Sequence, residues 1–230
     1  METLFNSYTL DIAPGTFPLS TDSMALADFV RLPKNAEVLD LGAGCGTLGV
    51  LLCAKDAKCR VTGVELDENA HKKALENITG NRLESRLNSI CADLTAIPDF
   101  IPQGSFDVCV SNPPYFTSGK LSQTVPQARH ELSCSLDALM RSAAWSLKYG
   151  GDLYMVHKPE RLAELFVNAA EVKLEPKRLC LLRHRPDGPV ALVLLQMRKG
   201  AKPGLVWEDI VLKDADGNPS NDYKRIYHQA

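Results

Sequence analysis

The chain has 230 residues, 45% of them hydrophobic, with 26 basic against 28 acidic side chains and a net charge of −2. At this length one core can bury about 70% of the unfolded surface, so no disulfide or metal staple is required, and the apolar content excludes a disordered chain. No apolar run reaches the ~18–20 residues of a membrane span, and the polar opening Met1-Glu2-Thr3-Leu4-Phe5-Asn6 does not read as a signal peptide, so the expectation is a cytoplasmic protein.

Taken in chain order, a buried strand is predicted over 37–41, followed by a helix over 46–54 and a second strand over 60–65. Asp67 caps the next helix, whose inner face carries Ala70, Ala74, Leu75 and Ile78. Strands follow over 86–91 and 106–110. A helix over 135–147 presents Leu136, Leu139, Met140 and Ala143 to the core, and Gly150-Gly151 punctuates the chain before a strand over 152–156. Pro159 suits the first turn of a helix over 160–170. Strands alternating with helices imply a parallel sheet covered on both faces. The rhythm breaks at the end, where strand-like runs over 177–184 and 190–197 are joined by Arg185-Pro186-Asp187-Gly188-Pro189, a hairpin that adds one reversed strand. Neither a repeat nor a linker divides the chain, which reads as a single domain over 1–230.

Seven cysteines, an odd number without a C-x-x-C pair, read as reduced core thiols, and Cys45 as a small filler of its loop. His71 and His228 lack metal-ligand spacing, so no metal is expected. Residues 157–230 hold 13 basic and 10 acidic side chains, an excess that permits a nucleic-acid partner without requiring one.

Two constellations carry chemistry. The first, Asp40-Leu41-Gly42-Ala43-Gly44-Cys45-Gly46, follows the first main strand, where glycines let the backbone turn sharply and approach a ligand at a helix start. Glu65, at the end of the second strand, suits a carboxylate accepting from both hydroxyls of a ribose. A dinucleotide and the adenosyl moiety of S-adenosylmethionine both fit this pattern, and Gly44-x-Gly46-x-x-Gly49 even satisfies the dinucleotide fingerprint. Asp40 tilts the choice, because an acid there repels a pyrophosphate and attracts the sulfonium and ammonium of S-adenosylmethionine. Asp93 can accept from an adenine amino group, or simply cap a turn. The second constellation, Ser111-Asn112-Pro113-Pro114-Tyr115, follows the fourth strand. A conjugated amino group is a poor nucleophile. Acceptors for both of its N–H hydrogens, the Asn112 side-chain oxygen and the Pro113 carbonyl, push density onto nitrogen. Proline stiffens the turn, and Tyr115 can stack on a flat base or amide.

These motifs resemble those of the class I S-adenosylmethionine-dependent methyltransferases of the small-domain type. Phe17-Pro18-Leu19-Ser20-Thr21-Asp22, Ala128-Arg129-His130-Glu131, Val156-His157-Lys158-Pro159-Glu160-Arg161-Leu162 and Lys199-Gly200-Ala201-Lys202-Pro203-Gly204-Leu205 extend a similarity to the tRNA1(Val) adenine-N6 methyltransferases over nearly the whole chain. The resemblance implies a Rossmann-like, seven-stranded, mostly parallel α/β sheet with a reversed C-terminal strand. It implies S-adenosylmethionine as cofactor, held by Asp40, Gly42, Ala43, Gly44, Glu65, Leu66, Asp93, Leu94 and Asn112, with Asn112, Pro113, Pro114 and Tyr115 catalytic. The expected substrate is an adenine beside the anticodon of a tRNA. Arg129 and His130 are candidates for RNA contact or ordinary helix-start residues. Lys177-Arg178, Arg183-His184-Arg185 and Arg198-Lys199 either line an RNA path or are solvated strand ends. The nearest rival is a protein glutamine N5-methyltransferase, which uses the same turn on an amide and usually carries an N-terminal helical domain, for which some 40 residues ahead of the loop leave no room. A DNA adenine methyltransferase, an NAD(P)-dependent oxidoreductase and a non-catalytic RNA-binding protein are the remaining alternatives.

Overall fold

The computed structural model describes residues 2–12, 19–114 and 135–228. Its strands are β1 (Glu2–Thr3), β2 (Thr9–Leu10), β3 (Glu37–Leu41), β4 (Arg60–Glu65), β5 (Leu87–Cys91), β6 (Phe106–Ser111), β7 (Leu147–His157), β8 (Leu174–Arg183), β9 (Val190–Lys199) and β10 (Val206–Val211). The α-helices are α1 (Thr21–Phe29), α2 (Thr47–Lys55), α3 (Glu68–Gly80), α4 (Ile97–Phe100), α5 (Leu136–Ser146), α6 (Leu162–Glu171) and α7 (Asn221–Ile226). The short β1 and β2 pair with each other, and the other eight strands form one sheet of order β10-β8-β9-β7-β6-β3-β4-β5. Every neighbouring pair in it is parallel except β7–β9 and β8–β9, so β9 alone is reversed, as the Asp187-Gly188 connection predicts. The seven expected strands are present, and β10 is an eighth, added at the edge beyond β8.

Strand side chains alternate between two apolar layers, which is why the runs read as continuously hydrophobic rather than amphipathic. Val38, Val108, Val110, Tyr154 and Val156 pack with residues of α1, α2 and α7 on one face. Leu39, Cys109, Leu153 and Met155 pack with α4, α5 and α6 on the other. Burying each such side chain contributes about 1.5–3 kcal/mol. The caps follow the sequence: Asp67 accepts from the Ala70 amide, and Ser135 from Ala138.

Four local readings are corrected. Leu75 is 41% exposed, and the buried stripe of α3 is Ala70, Ala74, Asn77 and Ile78 instead. Gly150-Gly151 does not precede a strand but lies within β7, which begins directly after α5. The register with β6 shifts there, Gly150 has φ +82°, and a Cβ on Gly151 would stand 2.9 Å from the Asp107 carbonyl. The helix expected over 160–170 is split, a 3₁₀ turn over Pro159–Arg161 preceding α6. Finally, Arg178 is neither on an RNA path nor a solvated strand end: it is buried in β8 and holds β10 by giving Glu208 two hydrogen bonds of 2.7 and 2.9 Å.

Candidate active site

The chain leaves β3 towards β4 and β5 on one side and returns to β6 and β7 on the other. Such a reversal opens a crevice beyond the carboxyl ends of the strands. Asp40 and Glu65 lie at the tips of β3 and β4, Asp93 just past β5, and Asn112 just past β6, so all four acceptors come to the same rim.

Asp40 is 1% exposed, and neither carboxylate oxygen has a hydrogen-bond partner among the described residues. Burial, and then the negative charge of Glu65, push its carboxyl up to about 8; the Gly49 amide opposes them without reaching hydrogen-bonding geometry. A buried, unpartnered acid costs free energy that a cationic ligand group recovers. The following loop is shaped for such a ligand. Gly42, Gly44 and Gly46 all have positive φ, and a Cβ on Gly42 or Gly44 would meet nothing within 4 Å, so the loop borders open space. The amides of Gly42 and Ala43 both donate to the Val64 carbonyl at 3.0 Å, tying the loop to β4. Beneath it, a Cβ on Gly63 would lie 2.7 Å from that of Ala43. Gly63→Ala is therefore expected to lift the loop, lowering stability by about 1–3 kcal/mol in thermal denaturation and weakening S-adenosylhomocysteine binding in calorimetry.

Glu65 already serves the protein. One oxygen accepts from the Gly44 amide and the other from Asp67, each at 2.8 Å, so the carboxylate braces the loop. Each oxygen keeps a second lone pair for a ligand hydroxyl. Asp93 fills the capping role, its Oδ1 accepting from both the amide and the hydroxyl of Thr95 at 2.8 Å. Leu66 is 37% exposed just after β4, whereas Leu94, just after β5, is buried in the core layer beneath α4 and α5. Cys45 is buried against Ala70 and Ile12, as a filler should be.

The turn after β6 is fastened on both sides. The Ser111 hydroxyl donates to the Leu41 carbonyl at 2.7 Å, joining the tips of β6 and β3. Asn112 Nδ2 donates to the Ser23 hydroxyl of α1 at 3.0 Å, which directs the oxygen side of the amide away from that helix. Pro113 is buried and Pro114 half-buried. Tyr115, Arg129 and His130 lie outside the described residues. Sequence reasoning missed three supporting groups. Ser23 is one, and Ser111, legible as the start of its motif but not as a tie to β3, is the second. The third is the buried Asn77, whose Nδ2 donates to the carbonyls of Cys45 and Asp11 at 2.8 Å, holding the glycine loop against the N-terminal segment. Its only signal is a polar residue interrupting the apolar stripe of α3.

Among the described residues, no three His, Cys, Asp or Glu side chains gather to hold a metal, and no helix is long and apolar enough to cross a membrane.

Fold and crevice together are those of a methyltransferase that takes its methyl group from S-adenosylmethionine. The methyltransferase small domain model matches residues 18–177, and the chain belongs to that family. A tRNA1(Val) (adenine(37)-N6)-methyltransferase from Photobacterium profundum is 28% identical, over 84% of this chain and 82% of its own length. In the solved structures, a predicted O-methyltransferase from Agrobacterium tumefaciens superposes with TM-score 0.76 at 20% identity, covering 90% of this chain and 96% of that one. Geranyl diphosphate C-methyltransferase from Streptomyces coelicolor, crystallised with S-adenosyl-L-homocysteine, reaches 0.59 at 14% identity, over 77% and 78% of the two chains. The expected fold and cofactor are thus met.

Proposed function

We propose that this enzyme methylates the exocyclic N6 amino group of an adenine in the anticodon loop of a tRNA. The observation that carries the reading is the Asn112 amide, fastened to Ser23 beside a β6 tip that Ser111 ties to β3, next to the open crevice over Gly42 and Gly44. The matched substrate name of the Photobacterium relative supports the same choice.

S-adenosylmethionine supplies, when bound, an electrophilic methyl carbon on a sulfonium. Asp40 would receive the cofactor's cationic end, Glu65 its ribose hydroxyls and Asp93 its adenine amino group, and Leu66, Leu94 and the Gly42, Ala43 and Gly44 backbone would complete its binding. Asn112 Oδ1 and the Pro113 carbonyl accept the two N–H hydrogens of the target amine, raising electron density on nitrogen and aiming its lone pair at the crevice. Bound S-adenosylmethionine would supply the methyl group with S-adenosylhomocysteine as its co-product, and the surplus proton on the methylated nitrogen would pass to an acceptor or to water. Pro113 and Pro114 hold the turn rigid, so the acceptors need no reorganisation during the step. A loop adenine is suited to this site because extruding it costs less than the few kcal/mol needed to flip a base out of a duplex.

Incubation with S-adenosylmethionine and bulk tRNA lacking the modification, followed by nucleoside mass spectrometry, is expected to yield N6-methyladenosine. Unmodified tRNA, with N5-methylglutamine appearing in a protein acceptor instead, overturns the reading.

A further inference from the structure

We infer that a second recess, beside the acceptor turn, holds a nucleotide neighbouring the target adenine in the substrate RNA; this rests on the tRNA reading above. A cavity of 540 Å³ is lined by Thr21, Asp22 and Met24 of α1 together with Lys158, His184 and Tyr227. That volume lies within the usual 300–1,000 Å³ of ligand sites. A larger cavity of 790 Å³ lies around Arg178 and Glu208, whose charges are spent on each other.

The topology places the 540 Å³ recess next to the chemistry. Ser23, which touches Asn112, sits between the lining residues Asp22 and Met24, so recess and acceptor turn share one helical turn of α1. On the sheet, Val110 of β6 pairs with Tyr154 of β7, and Lys158 immediately follows the tip of β7 as Asn112 follows that of β6. His184 follows β8 in the same way. Sequence motifs that the catalytic site leaves unused, His157-Lys158-Pro159 and Arg183-His184-Arg185, therefore meet at this rim.

The lining chemistry matches a nucleotide rather than a bare anion. The Lys158 ammonium and the His184 imidazole suit a phosphodiester, and the Asp22 carboxylate, which a free phosphate would avoid, suits the N–H groups of a base. Tyr227 is held in place by a 2.7 Å hydrogen bond to the Thr21 hydroxyl and by stacking on Tyr223 at 4.4 Å. Met24 adds apolar surface for a ribose or base. A strand lying along the rim would thus put one base at Asn112 and an adjoining nucleotide in the recess.

The test uses unmodified tRNA1(Val) transcript with wild-type enzyme, Lys158→Gln, the cavity-filling Ala191→Phe, and Lys58→Gln as an exposed control ahead of β4. Lys158→Gln and Ala191→Phe are expected to raise the tRNA KM about tenfold while kcat and S-adenosylhomocysteine affinity stay within twofold. For Lys158→Gln alone, the log–log salt dependence of tRNA binding is expected to become shallower by about 0.7–0.9, the loss of one phosphate contact. KM and salt slope unchanged in Lys158→Gln, or changed equally in Lys58→Gln, overturn the recess. A wild-type enzyme that neither binds nor methylates the tRNA overturns the substrate reading and this inference with it, whereas methylation by the wild type with silent recess variants removes the inference alone.

Discussion

Asn112→Ala is expected to lower the methylation rate by ~10²–10³, the usual loss when a preorganised polar group aimed at the reacting atoms is removed. The size follows from what the amide does. An adenine amino nitrogen shares its lone pair with the ring, and only acceptors for its two hydrogens restore nucleophilic character at the stage where the N–C bond forms. The Pro113 carbonyl remains in the variant, so about half of the clamp persists and a residual rate is expected. Because Asn112 is held from the α1 side by Ser23 and the loop around Gly42 is tied separately to Val64, the truncation leaves the cofactor crevice standing. Single-turnover kinetics with saturating donor, set beside calorimetry with S-adenosylhomocysteine, separate the two sites. Wild-type turnover with intact cofactor binding would remove Asn112 from the clamp, and loss of cofactor binding in proportion to rate would place it in the crevice instead.

The parts of this molecule that the sequence reveals are those whose chemistry is local. An acid at a strand tip followed by glycines, and an Asn-Pro-Pro turn after another strand, announce themselves because a few consecutive residues must satisfy one ligand. The two-sided core is legible for the same reason, since every strand buried on both faces is apolar throughout. What stays hidden depends on partners far along the chain. Ser23 reaches Asn112 across 89 positions, and Asn77 reaches Asp11 across 66, so neither has a neighbouring pattern to mark it. Strand β10 escapes notice because an edge strand buries little. Val206 and Trp207 are exposed, Glu208 and Asp209 are charged, and only Ile210 is buried. Gly150-Gly151 misleads in the opposite sense: its backbone irregularity is real, but it is a bulge inside a strand rather than a boundary. Leu75 misleads because it is apolar and yet falls off the Ala70–Ala74–Ile78 spacing of α3. Asp93 shows one residue fitting two descriptions, a turn cap by its hydrogen bonds and a cofactor acceptor by its place on the rim.

Asp40→Asn is expected to stabilise the ligand-free enzyme while impairing its use of the cofactor. In the folded protein the Asp40 carboxyl is pushed up to about 8, whereas in the unfolded chain it titrates near its ordinary value of 3.8. Folding therefore takes up a proton between these limits. The wild-type enzyme is least burdened near pH 4, loses stability as pH rises through the window, and carries the full penalty above pH 8. At 1.36 kcal/mol per pH unit the burden is about 4 kcal/mol at pH 7. Asparagine has nearly the shape of the protonated acid and cannot ionise, so it removes this burden without opening a cavity. The melting temperature of the variant should match the wild type near pH 4 and exceed it by roughly 10–20 °C near pH 8, where the burden reaches about 5 kcal/mol, given ~2–4 °C per kcal/mol at this chain length. The same change deprives the cofactor's cationic end of its counter-charge, and S-adenosylhomocysteine affinity should fall at least tenfold. Binding to the wild type should also release about one proton at pH 7, because a cation beside Asp40 draws its carboxyl back down. Calorimetry in buffers of different ionisation enthalpy reads that proton directly, and Asp40→Asn should release correspondingly less. A variant whose melting curve tracks the wild type from pH 4 to 8, or one that binds S-adenosylhomocysteine as tightly with the same proton release, would show that Asp40 is not the buried charge awaiting the cofactor.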